Sequence, residues 1–142
     1  MPELGRYAKL PRPESFQVFE RHMNIHRKVS GFTRLSEQIY KIERNNGFSD
    51  IIVFITNIYT VSDAEVFEIL EENQNVNCIL TISAWNGYTK RGKEMARNQF
   101  VGLFTFSEFI GAINYDGEQL LDYISREERE RLEREKNGRG RI

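Results

Sequence analysis

Three short apolar runs, separated by helical patterns, constrain the fold of this chain more than any other feature. The first, DIIVFIT over residues 50–56, is a continuous β-branched and aromatic run of strand length. A run without polar alternation predicts a strand that is covered on both faces, as in a parallel sheet. Residues 76–83 (VNCILTIS) and 100–105 (FVGLFT) predict two further strands of the same kind.

Helix signals lie between these runs. The capping-box spacing that begins at Ser62 predicts a helix reaching about Asn73. Thr89 predicts the cap of a helix over residues 90–98, and Ser107 the cap of a short helix after the third strand. Strands and helices that alternate with short links are typical of right-handed crossovers and a parallel sheet.

The first third of the chain predicts helices rather than strands. Residues 1–13 hold all three prolines and show no periodicity, which indicates an extended leader. Apolar residues recur at helical spacing from Phe16 to Met23, and again from Leu35 to Ile42. We therefore expect two N-terminal helices.

The C-terminal segment is dominated by charge. Residues 126–136 (REERERLEREK) pair opposite charges at helical i, i+4 spacing, and Leu132 is the single apolar residue among them. This pattern predicts an exposed charged helix. We expect a single α/β domain over residues 1–125, followed by a charged helical tail over residues 126–142 that ends in disorder.

Together these elements predict a three-layer open α/β sheet, mainly parallel, of three to four strands. The N-terminal helices and the charged C-terminal helix complete the expected fold. A sheet of three strands is small, so a fourth strand is expected from the N-terminal third or from a second copy of the chain.

Composition narrows the class of protein. Cys78 is the single cysteine, so disulfides within the chain and cysteine-based zinc sites are excluded. No apolar run approaches the roughly 20 residues that cross a bilayer, and the N-terminus does not resemble a signal peptide, so we expect a cytoplasmic protein that does not associate with membranes. Residues 1–47 carry nine basic and five acidic side chains, a balance that suits a polyanionic partner or simply a solvated helix face.

Topology predicts where a ligand would bind. In an open parallel sheet, ligands bind beyond the carboxyl ends of the strands, where helices begin. Two aromatic and two basic side chains follow the second strand, a combination that suits a phosphate or a stacked base. The alternative is that the aromatic residues close the core while the cations contact solvent. The expected anion-binding loop spans residues 83–91, and the candidate ligand-binding residues are Asn57, Tyr59, Ser83, Trp85, Tyr88, Lys90 and Arg91.

Known catalytic motifs are missing from the sequence. It contains neither a GxGxxG nor a GxxxxGK[ST] phosphate loop, and no GxSxG elbow. His22 and His26 stand four residues apart, but no nearby side chain completes a metal-ligand set. We therefore predict no catalytic residues, no metal site and no cofactor.

One family resemblance involves residues 60–113. The strand that ends CILTIS, the run GYTKRGKEMA from Gly87 to Ala96, and the segment VGLFTFSEFIGAI resemble the C-terminal half of Mrr-type restriction-endonuclease-like domains. The resemblance implies DNA cleavage with a metal that is held by an acidic residue and a Glu-x-Lys pair on the preceding strand. That strand would be residues 50–56, and neither Glu-x-Lys nor Gln-x-Lys occurs anywhere in the chain.

The sequence therefore favours a non-catalytic α/β binding module, associated with nucleic acid or nucleotides through the loop at 83–91. Another protein or a further copy of the chain are alternative partners. The alternative function is a metal-dependent phosphoesterase or nuclease of restriction-endonuclease-like fold, for which Asp50 and Asp63 are the acids expected near strand ends.

Overall fold

Seven strands and six helices are formed within residues 9–140, which are the residues that the computed structural model describes; side chains are described as far as residue 135. In chain order these are α1 (Pro13–Ile25), β1 (Val29–Arg34), β2 (Ile39–Arg44), β3 (Ile51–Thr56), β4 (Thr60–Val61), α2 (Asp63–Glu72), β5 (Cys78–Thr81), β6 (Gly87–Tyr88), α3 (Lys90–Asn98), β7 (Gly102–Thr105), α4 (Phe106–Ala112), α5 (Glu118–Leu121) and α6 (Arg126–Gly140).

The main sheet has five strands and is mixed, so the expected mainly parallel sheet of three to four strands is wrong. Its order is β1-β2-β3-β5-β7. The strands β1, β2 and β3 pair antiparallel, whereas β3, β5 and β7 pair parallel. A separate two-stranded parallel ladder joins β4 to β6. The three apolar runs do form strands β3, β5 and β7. These strands make up the parallel half of the sheet, as the runs predicted.

The antiparallel half replaces the second N-terminal helix that was expected from Leu35 to Ile42. Ile39 and Ile42 are three residues apart, a spacing that puts both on one face of a helix but on opposite faces of a strand. In β2, Ile42 packs in one core cluster and Ile39 packs against the other. The strand alternation was hidden because Arg44 occupies a buried position that the pattern would assign to an apolar residue.

Arg44 is buried because its guanidinium group is fully bonded. It donates to the carbonyl of Ile113 at 3.0 Å and to Asp116 Oδ1 at 2.7 Å, and its Nε donates to Ser49 O at 2.8 Å. The pKa of Asp116 is lowered, despite some opposing desolvation, by hydrogen bonds from backbone amides and by the Arg44 cation. This contact ties the end of β2 to the segment after α4.

Two hydrophobic clusters cover opposite faces of the sheet. Alternate residues of β3 divide between them: Ile51, Val53 and Ile55 join the first, while Ile52 and Phe54 pack against the second. Helices α1, α4 and α5 contribute to the first cluster, and α2 and α3 to the second. The helices therefore flank the sheet on both sides, in three layers.

The short helix after β7 begins earlier than the sequence indicated. Thr105, rather than Ser107, caps α4: its hydroxyl accepts a hydrogen bond from Glu108 N, and the Glu108 carboxylate accepts one from Thr105 N. This capping box starts the helix directly at the end of β7, without an intervening loop.

The chain entering α1 crosses the carboxyl end of β3. The carbonyl of Lys9 accepts hydrogen bonds from Asn57 N at 2.6 Å and from Thr56 Oγ1 at 2.9 Å, and Pro11 is buried. The last residues of the expected leader are therefore docked on the sheet. Residues 1–8, which make up the rest of that leader, lie outside the described residues.

Helix α6 contacts the domain through one face. Leu132 packs against the second hydrophobic cluster, and Arg131 Nη2 donates to the carbonyl of Tyr88 at 2.6 Å. Most of the other residues between 126 and 135 are exposed, as the charge pattern predicts. Within residues 9–140, no helix combines the length and the apolar character needed to cross a membrane.

Candidate functional site

A cluster of polar side chains lies where β3 and β5 end, at the edge that topology selects for ligands. Asn57 Oδ1 accepts hydrogen bonds from Ser83 Oγ at 2.5 Å and from Asn86 Nδ2 at 3.1 Å. Asn86 Nδ2 also donates to Thr81 Oγ1 at 3.0 Å. These bonds tie the segments after two neighbouring strands together and give the loop after β5 a defined shape.

Two large aromatic side chains project from this edge into solvent. Tyr59 is 66% exposed and Trp85 is 76% exposed. The carbonyl of Tyr59 accepts a hydrogen bond from Gly87 N at 2.8 Å, so the segment before β4, which carries Tyr59, runs beside the segment before β6, which carries Trp85. Neither ring is needed to close the core, since both are mostly in water.

Two cations follow β6 at the first turn of α3. Lys90 and Arg91 are exposed, and neither forms an ion pair with another described residue. The turn is fixed beneath them, because Thr89 Oγ1 accepts a hydrogen bond from Gly92 N at 2.9 Å. Trp85 and Lys90 are five residues apart, a span of at most about 18 Å even if fully extended. We name the surface formed by Tyr59, Trp85, Lys90 and Arg91 the aromatic edge.

Tyr88 does not belong to the aromatic edge. Its ring is fully buried, and its hydroxyl donates to both carboxylate oxygens of Glu108, at 2.8 and 2.9 Å. Glu108 also accepts hydrogen bonds from Ser125 N at 2.8 Å and Thr105 N at 3.2 Å. Burial raises the pKa of Tyr88, and the adjacent carboxylate raises it further. The structure therefore gives this tyrosine a packing role.

Lys93 completes the buried group that we name the buried network, together with Tyr88, Glu108 and Ser125. Its ammonium group donates to the carbonyls of Leu103 at 2.7 Å and Tyr123 at 2.8 Å. It lies over the rings of Tyr88 and Phe104, at 5.0 and 4.5 Å from their centroids. Burial lowers the pKa of Lys93 to about 8, although the Glu108 carboxylate acts in the opposite direction. Burial likewise raises the pKa of Glu108.

A cleft of about 740 Å³ opens beside Asn57 on the other side of the amide cluster. The residues before α1, the first turns of that helix and the turn between β1 and β2 form its walls. The Arg34 guanidinium lies 4.2 Å from the centroid of Phe16, and Tyr40 donates a hydrogen bond to Glu20. Its charged groups are of both signs, so the cleft indicates no single class of ligand.

The two histidines are used for structural hydrogen bonds. His22 Nδ1 donates to the carbonyl of Val18 at 3.0 Å. His26 Nε2 donates to the carbonyl of Ile110 at 2.9 Å, and its Nδ1 accepts from Lys28 N at 3.1 Å. Among the residues with described side chains, no group of three or more histidine, cysteine, aspartate or glutamate residues has the arrangement of a metal site.

Several important side chains were not identified from the sequence. Asn86 was assigned only to a turn, yet its side chain is buried and joins both strand ends. Glu108 and Lys93 were not singled out, because their sequence neighbours, Ser-Glu-Phe and Gly-Lys-Glu, give no signal of burial. The one available clue for Glu108 is its position three residues after Thr105, the spacing of a capping box.

Comparisons with known proteins identified no relative of this chain. No protein-family model matches the chain, and neither a curated protein nor a solved structure shows a significant match to it.

Proposed function

We propose that this chain is a non-catalytic binding module that takes up single-stranded nucleic acid at the aromatic edge. The observation that carries the proposal is the exposure of Tyr59 and Trp85 on two neighbouring segments, together with two exposed cations, Lys90 and Arg91, that form no ion pair with a described residue. Large aromatic side chains are costly to leave in water unless they have a partner, and single-stranded nucleic acid offers stacking faces that do not depend on base identity.

The arrangement suits a short stretch of backbone and bases. Stacking on an aromatic ring contributes about 1–3 kcal/mol per base, and each lysine or arginine that neutralises a phosphate adds a salt-dependent term. Tyr59 and Trp85 supply two rings, and Lys90 and Arg91, in the first turn of α3, supply two cations. Asn57 holds the loop through Ser83 and Asn86, so the backbone that carries Trp85 has a defined shape before a ligand arrives.

The proposal is tested by the fluorescence of Trp85, which is the single tryptophan of the chain. Titration with oligo-dT and with oligo-U at low salt should change its emission. The double variant Lys90→Ala, Arg91→Ala should bind about tenfold more weakly, and its dependence of log affinity on log salt should be shallower by about 1.4, which corresponds to two lost phosphate contacts.

A matched control removes two other exposed cations. Arg21 and Arg27 lie in or just after α1, away from the loop. Their double replacement by alanine changes the net charge equally and should leave affinity within about twofold, because it removes only long-range attraction. No response of the wild-type protein to either oligonucleotide, or equal losses in the two double variants, would show that this proposal is wrong.

A metal-dependent phosphoesterase is the alternative function, and the positions of its candidate acids disfavour it. Asp50 precedes β3 and lies 3.6 Å from Lys41 Nζ, whereas Asp63 begins α2 after the opposite end of that strand. Six strand residues span roughly 20 Å, so these two carboxylates do not meet at one ion. DNA or RNA cleavage in Mg²⁺ or Mn²⁺ that disappears in Asp50→Ala would reverse this preference.

A further inference from the structure

A second surface of opposite character lies on the other side of the loop at 83–91. Helices α1 and α4 pack together there: His22 and Phe106 meet edge to face with ring centroids 5.0 Å apart, and the rings of Phe19 and Phe109 lie 6.0 Å apart. Along the outside of this helix pair runs a groove of about 760 Å³, which the beginning of α6 closes at one end.

The floor of the groove is apolar. It is formed by side chains from both helices and from the end of β5, namely Val18, Ile82, Phe106 and Ile110. Val18 is 37% exposed, and Phe106 and Ile110 are half-buried. A groove of this volume accepts more than one large side chain, which is the geometry of helix-in-groove recognition.

The rim of the groove is acidic. Glu14 lies in the first turn of α1, and Glu127 and Glu128 lie in the first turn of α6. Glu128 is paired with Arg131, at 2.7 Å, but Glu14 and Glu127 have no ion pair with a described residue. Of the residues whose side chains are described, no lysine or arginine lines the groove. The two carboxylates without an ion pair to a described residue, Glu14 and Glu127, flank an apolar floor, an arrangement that repels phosphate and attracts a cation that carries apolar side chains.

We propose that this acidic groove binds a cationic amphipathic segment of another protein. Its apolar side chains would pack on the floor between α1 and α4, and its lysine or arginine side chains would face Glu14 and Glu127. The charge complementarity between this rim and a basic segment identifies the class of partner. The proposal does not depend on nucleic acid binding at the aromatic edge, because it uses none of the four residues of that surface.

The probe is a fluorescein-labelled amphipathic peptide of leucine and lysine, measured by fluorescence anisotropy with the full-length chain. A leucine/glutamate peptide of the same pattern and a serine/lysine peptide of the same charge are the comparison probes. We expect the leucine/lysine peptide to bind at least about tenfold more tightly than either, because each comparison removes one of the two complementary features. Equal binding of the serine/lysine peptide would overturn the proposal, since it would reduce the groove to a non-specific acidic surface.

Charge reversal locates the interaction. Glu14→Lys with Glu127→Lys should weaken the leucine/lysine peptide by about tenfold or more and should confer binding of the leucine/glutamate peptide. The matched control, Glu71→Lys with Glu133→Lys, reverses two exposed carboxylates outside the groove and should stay within about twofold of the wild type. Equal losses in the two pairs would contradict the assignment.

A measurement on the unmodified protein keeps the test independent of variant folding. In methyl NMR spectra, addition of the leucine/lysine peptide should shift the resonances of Val18, Ile82 and Ile110 while leaving Leu70, on α2, unchanged. Shifts spread evenly over the molecule, or confined to other methyl groups, would overturn the proposal.

Discussion

The buried network and the aromatic edge share one short stretch of chain, residues 85–93, whose side chains face in opposite directions. Trp85 is 76% exposed, whereas Tyr88, three residues later, is fully buried against Glu108. The cations differ in the same way: Lys93 lies between two rings and two carbonyls, but Lys90 is in solvent.

This difference separates stability from binding within one short segment. Among the described residues, every fully buried side-chain polar atom of the buried network has a hydrogen-bond partner inside the protein. The aromatic edge leaves its rings and cations in water, so it contributes little to folding. Five substitutions, at four places in the structure, test this separation.

Removal of the Glu108 carboxylate should have the largest effect. Glu108→Ala leaves the Tyr88 hydroxyl and the amides of Ser125 and Thr105 buried without their acceptor, which should lower the free energy of unfolding by about 3 kcal/mol. Urea denaturation followed by circular dichroism measures the change. Glu94→Ala, an exposed glutamate of α3, should change it by less than about 0.5 kcal/mol, and comparable losses would refute the contrast.

Gly92 joins the two regions, because it lies between the exposed Arg91 and the half-buried Lys93. A Cβ at this position would come within 2.6 Å of the Val61 carbonyl. Gly92→Ala should therefore destabilise the protein by about 2 kcal/mol, although the same change in an unhindered helix stabilises by up to about 1 kcal/mol. Thermal and urea unfolding should show that Gly92→Ala lowers the free energy of unfolding rather than raising it.

Gly31→Ala is the control for this substitution, since no atom lies within 4 Å of the added Cβ. It should alter stability by less than about 1 kcal/mol. A stabilised Gly92→Ala variant would mean that the start of α3 does not contact β4 as closely as described.

The depressed pKa of Lys93 predicts a dependence of stability on pH. The folded protein releases this proton near pH 8, whereas the unfolded chain holds it until about pH 10.5, so the unfolded state binds more protons in between. The contribution of Lys93 should therefore raise the free energy of unfolding with pH, by about 1 kcal/mol between pH 8 and 9. Burial raises the pKa of Cys78 to about 12, so the thiol makes the free energy of unfolding fall with pH. This opposing effect of Cys78 acts mostly above the window from pH 8 to 9.

The measurement compares denaturation curves of the wild type and Lys93→Met over that pH range. The methionine variant should be less stable overall, because it leaves two carbonyls without a donor, and should lack the rise. Parallel pH profiles in the two proteins would show that Lys93 is not held as a buried cation.

The smallest effect on stability is expected at the aromatic edge. Tyr59→Ala and Trp85→Ala should each change the free energy of unfolding by less than about 0.5 kcal/mol, because both side chains are mostly in water. Each should nonetheless weaken binding of oligo-dT, by about 1 kcal/mol or more per lost stacking partner. For Trp85→Ala, anisotropy of a labelled oligonucleotide replaces tryptophan emission. A loss of stability above 2 kcal/mol would place these rings in the core.

Much of the parallel half could be predicted from sequence because its signals are local. Helix α3 has the predicted bounds, with Thr89 as its cap, and the run at 50–56 forms β3. The antiparallel half could not be predicted in the same way. In β2, the spacing of Ile39 and Ile42 suits a helix face, and the strand pattern emerges only once Arg44 is buried by contacts from residues about 70 positions away.

The candidate site shows the same division. The sequence by itself determined the order along the chain of the three parallel strands and the helices between them. It also located a loop that carries aromatic and basic residues. Both follow from apolar runs and helix caps, which are signals contained within a few residues. Only the tertiary structure decided which of those side chains face solvent. Tyr88 is buried with its hydroxyl donating a hydrogen bond to Glu108, 20 residues away. Trp85 is exposed, in a loop whose shape is fixed by the hydrogen bond between Asn86 and Asn57. Such long-range hydrogen bonds leave no local pattern in the sequence. The buried and exposed side chains of the loop can therefore be distinguished only after folding has brought the partners together.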